Sequence, residues 1–447
     1  MLMYILFFEV KVLRILLIAT YLPPYSGSGN IRLLNYINYL SRLGNKVDVV
    51  GVEYPKNSIA YDETLEDVFD DEVNIYRVKP GLFYNLFNRK KAVQTNKEKD
   101  TVKQNTTRES LNRFKSKINY FIKTTFLIPD AFVGWIRPAY KVSCQLISKN
   151  KYDLIFTIHE TPSSHIVGYK LKKKFKDLKW AGYWSDPWNG DSVLRNKNSF
   201  IKKTIDEYLE LKVVKSVDKL LFTTKSTMEM YINKYKLSES KTEVIYRGYD
   251  EELYEKLEKN NKIPNGFEND KLNIVHTGTI YKELRDVKPL YKALKLLKEN
   301  NFEIFNKLNI IFVGQFTDKE DEMLLRGLEC VKIVNYLPFE EAMQYVVNAE
   351  VLLLYGNKNS TQVPGKLYEY IGSKSIILTI LGCEKDELNE IMKNIDKGPI
   401  ILNDSEAISS EIINLINTKD KANKWNRRCS QFEWSKVVLD LQNKLIN

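Results

Sequence analysis

The stretch Val363-Pro-Gly-Lys-Leu-Tyr-Glu-Tyr-Ile371 carries residue types from which an anion site can be built. Pro364 and Gly365 can open a helix, since proline lacks an N–H that the first turn would leave unpaired anyway. The free backbone N–H groups of such a turn suit an anion. Glu369 would then lie one turn in, where its carboxylate could accept paired hydrogen bonds from vicinal hydroxyls such as those of a ribose. A glutamate in a first turn is also favoured by the helix dipole alone, so spacing leaves both readings open. Near the other end of the chain, Gly27 and Gly29 form a Gly-x-Gly within Leu22-Pro-Pro-Tyr-Ser-Gly-Ser-Gly-Asn30. Any tight turn can use that pattern.

Metal chemistry is poorly supported. The three histidines (His159, His165 and His276) and four scattered cysteines show no ligand spacing and no CxxC, which points to a reducing cytoplasm without a disulfide framework. No Asp-x-Asp pair stands out as a metal anchor, and Asp70-Asp71-Glu72 reads as a loop.

The elements that must position these residues alternate in type. Arg14 to Ala19 reads as a buried strand, followed by the glycine loop. A helix with Leu33, Leu34, Ile37, Leu40 and Leu43 at helical spacing comes next, ended by Gly44. Further strands are expected at 46–50, 153–158, 180–183, 219–223 and 243–245. The pattern then restarts with a strand at 272–276, a helix at 287–299, a strand at 308–313, a helix at 339–348 and a strand at 351–354. This is the signature of α/β layers with parallel strands, in two doubly wound Rossmann-like domains facing across a cleft. The expected domains are 1–250 and 251–430, with a closing helix at 431–447.

The chain of 447 residues carries a formal net charge of +11, which implies an anionic partner such as nucleic acid, a membrane surface or a phosphorylated substrate. Much of the positive charge lies in an insertion at about 85–125, including Arg89, Lys115, Lys117 and Lys123, with Phe114, Ile118 and Phe121 interleaved. It is either a solvated insertion or a basic amphipathic surface for anionic lipid or a phosphorylated acceptor. Met1 to Phe8 is apolar, but Glu9, Lys11 and Arg14 interrupt it, so neither a membrane span nor a signal peptide is expected.

His276-Thr-Gly-Thr-Ile-Tyr281, then Arg285-Asp286, then Pro364-Gly-Lys-Leu-Tyr-Glu-Tyr370 together resemble retaining glycosyltransferases of the GT-B fold. The likeness is to family 4, in its branch making bacterial surface polysaccharides. It extends through the glycine loop, Ser185-Asp-Pro-Trp188, Tyr246-Arg-Gly-Tyr-Asp250 and Phe432-Glu-Trp-Ser435. In this fold the closing helix crosses back to the first domain.

The resemblance implies roles. Glu369 matches the second glutamate of the family's E-x7-E motif, which binds the nucleotide ribose; the first is replaced by Thr361, which with Ser360 could bond sugar hydroxyls. Where relatives carry arginine after the Gly278 position, this chain has Thr279, leaving Arg285 and Lys366 as the cations for a diphosphate. Gly27 and Gly29 match the loop that lets backbone approach donor phosphates and acceptor. Asp186 is expected to contact the reacting sugar or to cap a helix, and His165 to touch sugar or acceptor or to be structural. Tyr246-Arg-Gly-Tyr-Asp250 reads as a structural hinge.

The implied activity is transfer of a sugar from a nucleotide sugar, UDP- or GDP-linked, to a lipid-linked or polysaccharide acceptor with retention. Arg285, Lys366 and Asp186 are the expected catalytic groups, with no metal and no cofactor. The location expected is the cytoplasm or the inner membrane face. The alternatives are a GT-B sugar-nucleotide epimerase or hydrolase, and a basic nucleic-acid-binding protein, for which no known motif appears.

Overall fold

The computed structural model describes residues 11–26, 29–58, 60–87, 125, 127–189, 198–260, 262–358, 362–418 and 424–446. Gly27, Ser360 and Thr361, with nearly all of the basic insertion, lie outside them. The chain divides into two compact units, one of residues 1–223, 227–245 and 438–447, the other of 224–226 and 246–437.

Unit one is a seven-stranded parallel sheet in the order β3-β2-β1-β4-β5-β6-β7. Its strands are β1 (Arg14–Ala19), β2 (Lys46–Val52), β3 (Asn74–Val78), β4 (Leu154–His159), β5 (Lys179–Trp184), β6 (Lys219–Phe222) and β7 (Thr242–Val244). Continuous apolar runs such as Leu16-Leu-Ile18 and Leu154-Ile-Phe156 form the central strands because helices cover both faces. The helices include α1 (Asn30–Arg42), α2 (Val133–Lys149), α3 (Pro162–Lys174), α4 (Phe200–Ser216) and α5 (Lys225–Tyr235). The core gathers Leu16, Ile18, Trp135, Ile155, Val167 and Trp180.

Unit two is a six-stranded parallel sheet in the order β10-β9-β8-β11-β12-β13. It contains β8 (Leu272–Thr277), β9 (Leu308–Val313), β10 (Val331–Val334), β11 (Val351–Tyr355), β12 (Ile376–Leu381) and β13 (Ile400–Leu402). Successive side chains feed opposite layers, as strand geometry requires: Ile274, Ile310 and Leu353 enter one apolar cluster and Val275, Ile311 and Leu352 the other. Helices α6 (Glu251–Lys259), α7 (Lys288–Asn300), α8 (Lys366–Ile371) and α9 (Glu387–Ile395) belong to this unit.

The last helix, α10 (Trp434–Ile446), ends inside unit one. Buried Gln442 accepts from Asn45 Nδ2 at 2.9 Å and donates to the Lys11 carbonyl at 3.1 Å, while Lys444 donates to the Val244 carbonyl at 2.9 Å. Both sheets reverse strand order at a central pair, β1/β4 and β8/β11. In doubly wound sheets such switch points, at the strands' carboxyl ends, are where ligands bind.

Candidate functional site

At the switch point of unit two, β8 runs into Gly278, whose φ of +110° is open to glycine and costly for other residues. The turn is held where the Gly278 N–H donates to the Val313 carbonyl at 2.8 Å. Arg285 folds back beneath this loop and donates from Nη1 to the Thr279 carbonyl at 2.8 Å. Among the described residues no carboxylate pairs with the Arg285 guanidinium, and its buried Nε has no partner. Burial holds its pKa below the ordinary arginine range, with partial relief from Tyr370 and Tyr281.

Lys366 arrives from the β11 side, as the first residue of α8. A Cβ placed on Gly278 would stand 3.0 Å from Lys366 Cε, so the lysine stem lies against the glycine. Its ammonium donates to Glu369 Oε2 at 2.7 Å. Burial works to lower the Lys366 pKa, but Glu369 carries it net upward even though Arg285 opposes, so the lysine stays charged. Two positive charges thus converge on one turn, and Lys366 alone of the two is paired with Glu369 among the described residues.

Two tyrosines fix α8 to this place. Tyr370 Oη accepts the Thr277 N–H at 2.8 Å, and Tyr254 Oη donates to the Glu369 carbonyl. Buried Pro364 and half-buried Gly365 lead into the helix, Gly365 as its N-cap. The preceding loop is pinned where Lys358 N–H donates to the Leu284 carbonyl at 2.8 Å and Lys358 Nζ meets Asp286 at 3.2 Å.

His276, at the end of β8, is fully buried with Nδ1 2.9 Å from the Leu353 carbonyl, which can only accept; Nδ1 therefore carries the proton. Burial, reinforced by the charges of Arg285 and Lys366, pushes its pKa down to about 3. It is a neutral strut, unsuited to proton transfer near neutral pH.

Arg247 is a residue that motif reading assigned to a hinge. Its Nη1 would stand 2.8 Å from a Cβ placed on Gly365, so the guanidinium occupies the space that the missing side chain leaves at the mouth of α8. Arg247 and Gly365 are far apart in sequence, and no periodicity connects them.

In unit one, Gly29 caps α1. A Cβ there would overlap the Glu160 carboxylate, which is ion-paired with buried Arg32. Within the described residues, the smallness of Gly29 accommodates Glu160. Asp186 is exposed at the carboxyl end of β5. Next to it, the Ser185 hydroxyl donates to the His159 carbonyl, and the Trp188 N–H donates to Tyr231 Oη at 2.9 Å.

His165, expected to touch sugar or acceptor or to be structural, packs among the side chains of unit one. Its ring is 0% exposed, centred 4.1 Å from the Trp184 ring, with Nδ1 2.7 Å from Thr157 Oγ1. Burial lowers its pKa to about 3. Asp70, of the acidic loop, is bound by Arg42 through two bonds of 2.7 and 3.0 Å. Among the described residues no group of three or more His, Cys, Asp or Glu side chains could hold a metal, and no helix is long and apolar enough to cross a membrane.

No protein-family model matches the chain, and no curated protein matches it in sequence. Its likeness to solved structures spans nearly its whole length. Sucrose-phosphate synthase from Thermosynechococcus elongatus superposes with a TM-score of 0.58 at 14% identity, over 96% of this chain and 98% of that one. HepE from Anabaena, solved with UDP, gives 0.58 at 13% identity over 97% and 99%. WaaG, a glycosyltransferase involved in lipopolysaccharide biosynthesis, gives 0.51 at 12% identity over 96% of each chain. With the two switch-point sheets, these likenesses define a two-domain α/β protein of the GT-B fold.

Proposed function

We propose that this chain is a glycosyltransferase using a nucleotide-sugar donor, with the nucleotide diphosphate held in unit two. The observation that carries the reading is the convergence of Arg285, Lys366 and Glu369 on the Gly278 turn at the β8/β11 switch point. Anabaena HepE, of the same fold, has been solved with UDP and with UDP-glucose, which supports a UDP-sugar here.

The chemistry follows from charge. Breaking the bond from the sugar to the nucleoside diphosphate develops negative charge on phosphate oxygens. Fixed cations aimed at that charge in a partly dehydrated site lower the barrier. Arg285 and Lys366 supply them, and Arg247 beside Gly365 adds a third. Glu369 keeps one oxygen free of Lys366 for ribose hydroxyls, and its hydrogen bond orients the lysine. Thr279, Pro364 and Gly365 shape the turn around the phosphates. Asp186 and the Gly29 loop are assigned to the sugar and acceptor side.

The finer reading is transfer with retention, in the manner of family 4, to a lipid-linked or saccharide acceptor of bacterial surface polysaccharide synthesis, without a metal, at the cytoplasmic membrane face. The test is incubation with UDP- and GDP-sugars, with and without lipid-linked acceptors. Nucleoside diphosphate release that depends on acceptor supports transfer. Fast turnover of the sugar nucleotide alone would instead mark an epimerase or hydrolase.

A further inference from the structure

Helix α4 buries charged side chains and exposes apolar ones over much of its length. Its inward face is polar in its first turns, where Lys202, Asp206 and Glu210 are 5%, 4% and 1% exposed, and becomes apolar at buried Val213 and Val214. Each of the three has a polar partner. Lys202 donates to the carbonyls of Leu127 and Pro129 at 2.7 and 2.5 Å and pairs with Asp206 at 3.0 Å. Glu210 accepts from Tyr231, from Tyr235 at 2.6 Å and from Asn189 at 3.0 Å.

The outward face is apolar. Phe200, Ile201, Ile205, Tyr208 and Leu211 are 83%, 60%, 38%, 55% and 41% exposed. At about 100° of rotation per residue they share one arc of about 140° with Thr204, Lys212 and Lys215. No acid lies in that arc; Glu207 falls at its margin. A contiguous exposed apolar stripe of this kind marks an interaction surface.

Its chemistry selects the partner. Lys212 lies over the Tyr208 ring at 4.2 Å, and on the neighbouring α3 Lys173 lies over Tyr169 at 5.5 Å. Aliphatic side chains that enter an acyl boundary, tyrosines that sit at headgroup level and lysines that meet headgroup phosphates form an interfacial set. A second copy of the same face would bring lysines against lysines with no acid in the arc to pair them. We propose that the outward face of α4 docks on an anionic phospholipid bilayer. The proposal does not depend on the nucleotide chemistry.

Co-sedimentation of the full chain with vesicles of phosphatidylglycerol and phosphatidylcholine, against phosphatidylcholine alone, is the test. The wild type is expected to pellet with the anionic vesicles and to be released by high salt. Ile201→Ser with Ile205→Ser should weaken partitioning at least about tenfold. The melting temperature and UDP affinity should hold, since both side chains already face solvent. Lys212→Glu should weaken partitioning without touching the apolar stripe. A wild type that ignores anionic vesicles at low salt overturns the proposal. So does a double-serine variant that pellets like wild type, which would move attachment elsewhere, the basic residues 89–123 included. A dimer in sedimentation velocity that the serine variant dissociates would make the stripe a protein-docking face instead.

Discussion

Lys366 and Glu369 close a 2.7 Å ion pair on the first turn of α8, and the lysine stem rests on Gly278 at the end of β8. The pair is roughly a quarter exposed on both sides, so it contributes under about 1 kcal/mol to stability. Its consequence is positional. Glu369→Gln is expected to leave the melting temperature nearly unchanged while nucleoside diphosphate affinity falls at least about tenfold, one charge-assisted bond being lost. Calorimetric titration reads both the affinity and its absence.

Gly278→Ala addresses the turn itself. The φ of +110° and the approach of Lys366 Cε both oppose a side chain. A loss of about 1–3 kcal/mol in urea unfolding is expected, together with weaker nucleotide binding. Thr279→Ala, one residue on, keeps the turn and should cost far less in stability.

Arg247→Ala should weaken UDP binding while leaving the fold intact. Gly365→Ala should do the same from the other side, because the new methyl displaces the guanidinium. If Arg247→Ala binds UDP as wild type does, Arg247 is only a filler of the Gly365 gap.

Much of this arrangement was legible in the sequence. The apolar runs of β1, β4, β8, β9 and β11 announce buried parallel strands, and the order of motifs points to GT-B before any coordinate. β12 was missed although Ile376-Ile-Leu-Thr-Ile-Leu381 is apolar throughout, because a continuous apolar run does not distinguish a strand from a buried helix. β3, β10 and β13 lie at sheet edges and are short or mixed in polarity, so they carry little signal. Arg247 was misread because its significance lies in a distant glycine. The buried charge of α4 was invisible for a related reason, since Lys202, Asp206 and Glu210 read as surface residues until their partners are placed.

His165 and His276 give a pH signature. Burial is the main cause of both folded-state values of about 3, against about 6.5 unfolded. Each therefore contributes stability that is fully present above pH 6.5 and is lost as pH falls toward 3, at about 1.4 kcal/mol per unit. Urea unfolding at pH 6.5 and pH 5 should show the decline before most carboxylates titrate. His165→Gln should flatten it even if it lowers overall stability.

Charge stabilisation by side chains makes a further demand. Sugar transfer should persist in EDTA, and Asp70→Asn should have little effect on turnover because Asp70 serves Arg42. Complete loss with chelator, restored by magnesium or manganese, would place the phosphate chemistry elsewhere.

The most direct test of nucleotide-sugar chemistry in unit two is calorimetric titration of UDP and GDP into wild type and into an Arg285→Ala, Lys366→Ala variant. The wild type should bind at least one of them, and the variant, with the same melting temperature, should lose at least about tenfold and up to several hundredfold in affinity. A wild type that binds neither nucleotide at millimolar concentration, or a variant that binds as tightly as wild type, would contradict the assignment.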